Sequence, residues 1–196
     1  MANLCMDTVV FYAASKEQEK GLVAFGQAAT SCYYACASPM EHGMRRIFEQ
    51  NGISTDNICL SSDLLDMLWE EDRVTLYCTS KWSPIYEGYT RLAHHFGISF
   101  VLQAEEPGFD IYINTDTDRK YLTTQYKVFL AEKPEDGSLD TLFEEAGEET
   151  DFYFESDEDV LDWFRDYTAI DASTVEELRR HLDTECVHIH EFVNPY

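Results

Sequence analysis

The order of strand-like and helix-like segments in the first part of this chain restricts it to an α+β fold. Residues 7–13 are β-branched and aromatic, which predicts a strand, and apolar residues at helical spacing follow over 15–29. Residues 73–79 alternate between apolar and polar side chains, a helix is predicted over 84–97, and residues 98–103 return as a strand. Two β–α–β units of this kind predict a ferredoxin-like split β-α-β core, in which an antiparallel sheet is covered by helices on one face.

Weaker patterns fill the connections between these elements. Residues 38–48 combine a capping box with apolar helical spacing, which predicts a helix that Gly52 ends. Residues 57–60 predict a short strand, and residues 63–69 predict a short helix. The span 98–131 contains three strand-like segments separated by turn residues, which predicts an antiparallel meander.

A composition shift at residues 133–137 marks a predicted boundary. Residues 1–133 form the predicted ferredoxin-like core, and residues 134–196 form an acidic α/β C-terminal extension packed on the same domain. The extension has its own strand-like segments at 151–154 and 186–193, with capped helical segments between them. We therefore expect it to be folded rather than to be a loose acidic tail.

Charge excludes several classes of partner. The chain has 38 Asp and Glu residues against 14 Lys and Arg residues, a formal charge of -24. Such a surface repels nucleic-acid phosphates and anionic lipids and attracts basic proteins. We therefore expect a basic protein partner, with neither direct nucleic-acid binding nor membrane binding. Salt adaptation is disfavoured because Cys and Phe are plentiful.

The acids are unevenly distributed along the chain. Residues 135–166 contain 14 acids, and Arg165 is the one base among them. An uneven distribution favours an interaction surface, including one that mimics a DNA phosphate backbone, although a solvated helical face gives the same pattern. The predicted interaction residues are Glu144, Glu145, Glu148, Glu149, Asp157, Glu158, Asp159 and Asp162.

The N-terminal residues and the cysteines predict a cytoplasmic protein. The first residues lack the basic and apolar regions of a signal peptide, and no apolar run is long enough to span a membrane. The six cysteines are then expected to stay reduced and to serve as small, mostly buried apolar residues. Cys32 and Cys36 are four residues apart, but two thiols do not complete a metal site, so metal binding there stays open.

No catalytic, cofactor-binding or metal-binding residue is predicted. Glycine-rich phosphate loops, the Gly-x-Ser-x-Gly motif and the His-Glu-x-x-His motif do not occur. His188 and His190 share one side of a predicted strand and would bind a metal only if a third ligand arrived; otherwise they are surface residues. Cys5 has no local support as a nucleophile, and both carboxylates of Glu105 and Glu106 are expected to be solvated in a turn.

Three stretches, in this order and at this spacing, resemble one known family. Residues 1–10 form an opening strand, Trp-Ser-Pro at 82–84 forms a strand-to-helix turn, and residues 96–108 form a strand-turn-strand. These stretches resemble the YubB-like, ferredoxin-like domain family, whose members occur mostly on plasmids and phages. The resemblance covers residues 1–131 and implies a fold and a mobile-element context.

The chain departs from the family pattern at three places. Leu4 stands where the family has tryptophan, Ile85 stands where it has a second proline, and the segment after Gly108 lacks an expected glycine. The acidic tail lies outside the resemblance. Because the family has no established activity, no functional residue is carried over from it.

The sequence therefore predicts an acidic binding protein that engages a basic partner, as an inhibitor from a mobile element would. Two alternatives stay open. One is a small enzyme without a familiar motif, which would need a pocket holding a group with a strongly shifted pKa. The other is a structural or regulatory domain of a larger assembly, which a large exposed apolar patch would indicate.

Overall fold

The computed structural model describes residues 3–34 and 43–196, and these divide into two compact units. The first unit comprises Met1–Leu122 together with Pro195–Tyr196, and the second comprises Thr123–Asn194. The α+β class is confirmed, because both units combine helices with an antiparallel sheet. Within the part of the chain that is described, no helix is both long enough and apolar enough to cross a bilayer.

The first unit is built on a five-stranded antiparallel sheet in the order β2-β3-β1-β4-β5. Its strands are β1 (Leu4–Tyr12), β2 (Ser62–Trp69), β3 (Arg73–Lys81), β4 (Ser99–Glu106) and β5 (Ile111–Asn114). Its helices are α1 (Glu19–Tyr34), α2 (Gly43–Gln50) and α3 (Tyr86–Phe96). The capping box predicted to begin the helix that became α2 lies outside the described residues.

The alternation of side chains along β1 determines where the core lies. Cys5, Val9 and Phe11 are completely buried and point to the same side of the sheet, because successive strand residues face opposite sides. Phe11 packs against Phe25 of α1, with ring centroids 4.4 Å apart, so the core lies between the sheet and the helices. Asp7 occupies the same inward series, and its carboxylate is therefore buried among apolar residues.

Residues 63–69 form a strand, so the predicted helix there is wrong. They pair with β3 in antiparallel register, which shifts between Leu64 and Asp66. This β-bulge adds one residue to the strand, so the apolar side chains do not alternate strictly and resemble helical spacing. The predicted strand at 57–60 is also wrong, because Asn57 lies in a turn with a φ of 61° and no sheet pairing follows until Ser62.

The second unit contains a three-stranded antiparallel sheet in the order β7-β6-β8. Its strands are β6 (Tyr126–Leu130), β7 (Asp151–Phe154) and β8 (Val187–Glu191). Its helices are α4 (Asp140–Ala146), α5 (Asp157–Tyr167) and α6 (Val175–His181). Val128, Phe164 and Leu178 are almost completely buried in a core of its own.

The strand β6 explains two differences from the predicted organisation. The meander predicted over 98–131 holds for β4 and β5, which pair as a hairpin, but β6 belongs to the other sheet. Because β6 is the central strand of that sheet, the compact units divide after Leu122 rather than between residues 133 and 134. The C-terminal extension accordingly has an antiparallel α+β arrangement rather than an α/β one.

Gly21 allows α1 to approach the end of α3 closely. A Cβ atom on Gly21 would lie 2.0 Å from the backbone oxygen of Phe96, which is far inside contact distance. From the sequence alone, this glycine is expected to weaken the helix, because the helix propensity of alanine is more favourable by about 1 kcal/mol. The close backbone contact supplies the reason for the glycine.

We expect Gly21→Ala to destabilise the protein even though it raises helix propensity. Separating α1 from α3 should lower the free energy of unfolding by about 1–3 kcal/mol, as overpacking does. Urea denaturation followed by circular dichroism measures this change. Gln27→Ala, at an exposed position of the same helix, is the control and should leave the stability nearly unchanged. A Gly21→Ala variant that is more stable than the wild type would contradict the close contact between α1 and α3.

Candidate functional site

The eight predicted interaction residues all lie in the second unit, where they form two groups. The first group, here called the α4 acids, occupies the end of α4 and the connection to β7 and consists of Glu144, Glu145, Glu148 and Glu149. The second group, here called the α5 acids, lies on α5 and consists of Asp157, Glu158, Asp159 and Asp162.

The two groups lie toward opposite ends of α5. Glu145 and burial raise the pKa of Tyr167, the last residue of α5, with the charge of Glu145 as the larger cause. Three α5 acids occupy the first turn of the same helix, which is about 16 Å long at 1.5 Å per residue. The structure therefore does not bring all eight carboxylates together.

Several α5 acids serve the fold of the second unit. Asp157 accepts hydrogen bonds from the Tyr126 hydroxyl at 3.0 Å and from the Gln125 amide at 3.2 Å, and burial together with this bond raises the pKa of Tyr126 to about 12. Asp159 shares a reciprocal cap with Ser156, whose hydroxyl accepts from the Asp159 backbone N–H at 3.2 Å. Carboxylates in the first turn also complement the helix dipole. Part of the acidic run is thus explained by helix capping.

The α4 acids have exposed side chains, as the α5 acids do, but they lie at and beyond the end of a helix rather than mostly in a first turn. Leu139 and Leu142 are buried and fix α4 to the core of the second unit. The helix therefore presents Glu144 and Glu145 to solvent from a supported backbone.

Charge is concentrated in the second unit. Residues 123–194 contain 21 acids against 5 bases, a formal charge of -16, and the remaining residues contain 17 acids against 9 bases, a charge of -8. Each of the five bases of the second unit already pairs with an acid of that unit. The pairs are Lys127 with Asp151, Lys133 with Asp140, Arg165 with Asp162, and both Arg179 and Arg180 with Glu176. Most of the carboxylates therefore have no basic partner within the unit.

The histidine pair lies as the sequence predicts. His188 and His190 point to the same side of β8, with nearly parallel rings whose centroids are 6.0 Å apart. Among residues 3–34 and 43–196, no three His, Cys, Asp or Glu side chains are arranged so that they could hold a metal ion. Cys36 lies outside the described residues, and Cys32 is buried in α1 with its thiol 3.1 Å from the side-chain oxygen of Gln50.

A buried carboxyl group that sequence reasoning missed forms the most unusual polar cluster of the first unit. Asp7 of β1 is only 2% exposed. Its Oδ2 accepts a hydrogen bond from the Tyr89 hydroxyl of α3 at 2.7 Å and lies 2.9 Å from Oγ of Ser80 on β3. Its Oδ1 has no hydrogen-bond partner among the described residues.

A protonated Asp7 would account for the two contacts of the Ser80 hydroxyl. The Ser80 hydroxyl lies 2.9 Å from the Asp7 carboxyl and also 2.9 Å from the backbone oxygen of Ser83, but it has one hydrogen for these two acceptors. A neutral Asp7 can donate its own proton to Ser80, which then donates to Ser83. Burial raises the pKa of Asp7, although hydrogen bonds, first among them the one from Tyr89, oppose the shift.

Two cysteines beside Asp7 are unsuited to act as nucleophiles. Burial is the largest cause that raises the pKa of both Cys5 and Cys78 well above the ordinary thiol value. Because the thiolate is the reactive form, both groups stay as inert thiols. Asp7, Ser80 and Tyr89 therefore form a cluster suited to hydrogen bonding and proton transfer rather than covalent chemistry.

A second buried acid corrects a prediction. Glu106 is 2% exposed, so the expectation that it is solvated in a turn is wrong. Its carboxylate accepts hydrogen bonds from the backbone N–H groups of Gly108 at 3.0 Å and Phe109 at 2.7 Å. The short helical turn that begins at Pro107 leaves these N–H groups without helical acceptors, and Glu106 supplies the acceptor.

The turn between β3 and α3 is strained beside the Asp7 cluster. Trp82 adopts a φ of 72°, in the left-handed region that bulky residues rarely occupy, and its ring is exposed beside Phe109. Its backbone N–H donates to the oxygen of Asn3 at 3.0 Å, which helps to fix the turn. Strained residues of this kind occur often at functional sites.

The comparisons with known proteins assign no function to the acidic groups or to the Asp7 cluster. No family model matches the chain, and neither the curated proteins nor the solved structures include a significant match.

We expect the protonation of Asp7 to link stability to pH. A folded-state pKa above the ordinary value of 3.8 gives stability that is complete below that value and is lost as pH rises through the folded pKa. Asp7→Asn keeps a neutral side chain of similar shape, so its stability should fall less than that of the wild type as pH rises. Urea denaturation at a series of pH values measures both curves.

Asp118→Asn is the matched control, because Asp118 is an exposed acid of the same unit. It should reproduce the wild-type pH dependence. Parallel curves for the wild type and Asp7→Asn would show that Asp7 titrates as it does in the unfolded chain, and they would contradict a neutral buried acid.

Proposed function

We propose that this protein binds a basic protein partner and that the α4 acids of the second unit are the principal contact. The observation that carries the proposal is the excess of carboxylates in this unit, where 21 acids face 5 bases that are already paired. A partner rich in Lys and Arg would supply the missing positive charges.

The α4 acids are better candidates than the α5 acids because two of the α5 acids are already engaged in hydrogen bonds with Tyr126 and Ser156. Asp157 and Asp159 would have to release the hydroxyl groups of Tyr126 and Ser156 before they could bind a partner fully. Glu158 and Asp162 extend the negative surface along α5 and strengthen long-range attraction. This long-range attraction increases the association rate more than it slows dissociation.

One class of partner fits the mimicry of a phosphate backbone. A DNA-binding protein offers a basic groove that spaced carboxylates could occupy, and such binding would inhibit the protein. The same carboxylates would then compete with DNA, and added salt would weaken the complex.

We also propose that the first unit is a ferredoxin-like domain related to the YubB-like proteins. The strand order β2-β3-β1-β4, with helices between β1 and β2 and between β3 and β4, supports this topology. The additional strand β5 extends the sheet beside β4. The Trp-Ser-Pro turn at 82–84 joins β3 to α3, as the resemblance implies.

Neutralising the α4 acids should weaken capture of a basic partner. The variant replaces Glu144, Glu145, Glu148 and Glu149 with Gln, and the control replaces Glu17, Glu19, Glu49 and Glu71, four exposed acids of the first unit, with Gln. Proteins from a lysate are captured on the wild type at low salt and identified. The association rate of the best-enriched basic protein is then measured with each purified variant.

We expect the α4 variant to bind at least about tenfold more slowly at low salt, while the control stays near the wild type. The difference should shrink as salt rises. Equal losses in both variants would indicate a general effect of net charge, and unchanged binding by the α4 variant would exclude the proposed surface.

A further inference from the structure

We propose that the first unit binds a small organic anion, through phosphate or carboxylate oxygens, in a cleft at the end of β3. The cleft has a volume of about 620 Å³ and lies between α2, residues 57–63 and the ends of β1 and β3. Four hydroxyl-bearing residues line it, Ser61, Ser62, Thr79 and Ser80, together with one acid, Asp63.

Two basic side chains from different parts of the sequence meet at this cleft. Arg45 comes from α2 and Lys81 comes from the end of β3, and both side chains are exposed. Neither makes an ion pair with any residue of the described ranges. In a chain with a formal charge of -24, two free cations beside a hydroxyl-lined cleft attract an anion where most of the surface repels one.

Two of the lining serines face the interior. Ser62 of β2 lies opposite Ser80 of β3, and it is only 5% exposed. Its hydroxyl lies within hydrogen-bonding reach of Tyr89 and Cys78, beside the Asp7 cluster. The hydroxyl groups that a ligand could reach are therefore those of Ser61 and Thr79, which are half-buried.

The Asp7 cluster supports the wall of this cleft at Ser80. Ser80 lines the cleft and is connected to both Asp7 and the Ser83 backbone oxygen. The backbone N–H of Lys81 donates to the Ser61 oxygen at 3.1 Å, so the two sides of the cleft are joined. A neutral Asp7 behind Ser80 does not repel a bound anion, whereas an ionised one would.

A second, neighbouring cleft indicates that the organic part of the ligand contains a planar ring. It has a volume of about 460 Å³ and shares Lys81, Ser61 and residues 57–59 with the first cleft. Tyr86 and Tyr196 line it and stack on each other at 3.6 Å, with their ring planes 9° apart. An anion with a planar ring could place its charged oxygens near Lys81 and its ring near this tyrosine pair.

Titration with defined anions tests the site on the full-length protein. The probes are inorganic phosphate, phenyl phosphate and benzoate, each compared with sodium chloride at equal ionic strength. Binding is followed by amide chemical shifts in NMR spectra and by the increase in Tm. We expect at least one probe to shift the amides of residues 57–62 and 79–82 and to raise Tm more than chloride does.

The probes distinguish the two sources of anionic oxygens. Tighter binding of phenyl phosphate than of benzoate assigns the site to phosphate compounds, and the reverse order assigns it to carboxylates. If phenyl phosphate binds more tightly than inorganic phosphate, the ring contributes to binding near Tyr86. Identical behaviour of all three probes and chloride would overturn the proposal.

Substitutions then locate the site. Arg45→Gln and Lys81→Gln should each weaken the best probe about tenfold, which is the effect of losing one charge-assisted hydrogen bond. Lys20→Gln, which removes the same charge from an exposed position on α1, should have no effect. An equal loss in Lys20→Gln, or shifts that cluster outside the cleft, would refute the assignment.

Discussion

The hydrogen bonds around Asp7 join the central strand of the first unit to a neighbouring strand and to a helix. Asp7 belongs to β1, Ser80 to β3 and Tyr89 to α3, so one buried carboxyl group connects three elements that are distant in sequence. A charged group in this position would carry a large desolvation cost, which a protonated acid avoids. The orientation of α3 and of the turn before it therefore depends on the hydrogen bonds of this buried carboxyl group.

The Asp7 cluster also connects the interior of the first unit to a cleft on its surface. Ser80 contacts Asp7 on one side and lines the cleft on the other. The strained backbone at Trp82 lies two residues further along, where the same chain segment leaves the sheet. The two units accordingly offer different chemistry. The second presents exposed carboxylates, and the first presents a cleft at which two exposed cations, Arg45 and Lys81, lie near hydroxyl groups and one acid, Asp63.

Periodicity in the sequence predicted the elements whose side chains follow a simple rule. β1, β3 and α3 were recognisable because their apolar residues alternate or recur at helical spacing. β2 was misread because its bulge breaks the alternation, and β6 was given to the wrong sheet because its partners, β7 and β8, are distant in sequence. Local patterns do not specify which strands pair.

The sequence also contained one unused signal for the site. Cys5, Asp7, Val9 and Phe11 form a single alternating series, so an inward-facing acid was visible once β1 had been recognised. Its partners could not be found, because Ser80 and Tyr89 approach Asp7 only in the folded chain. Similarly, the acidic run was evident, but the division into α4 acids and α5 acids depends on where α5 begins and ends.

The protonation state of Asp7 is the central claim, and NMR observes it directly. The carboxyl ¹³C chemical shift of Asp7, assigned through Asp7→Asn, reports its titration in the folded protein. We predict that Asp7 remains protonated at pH values above the ordinary aspartate value of 3.8. A carboxyl group that titrates at or below the ordinary aspartate value of 3.8 would contradict the neutral buried acid.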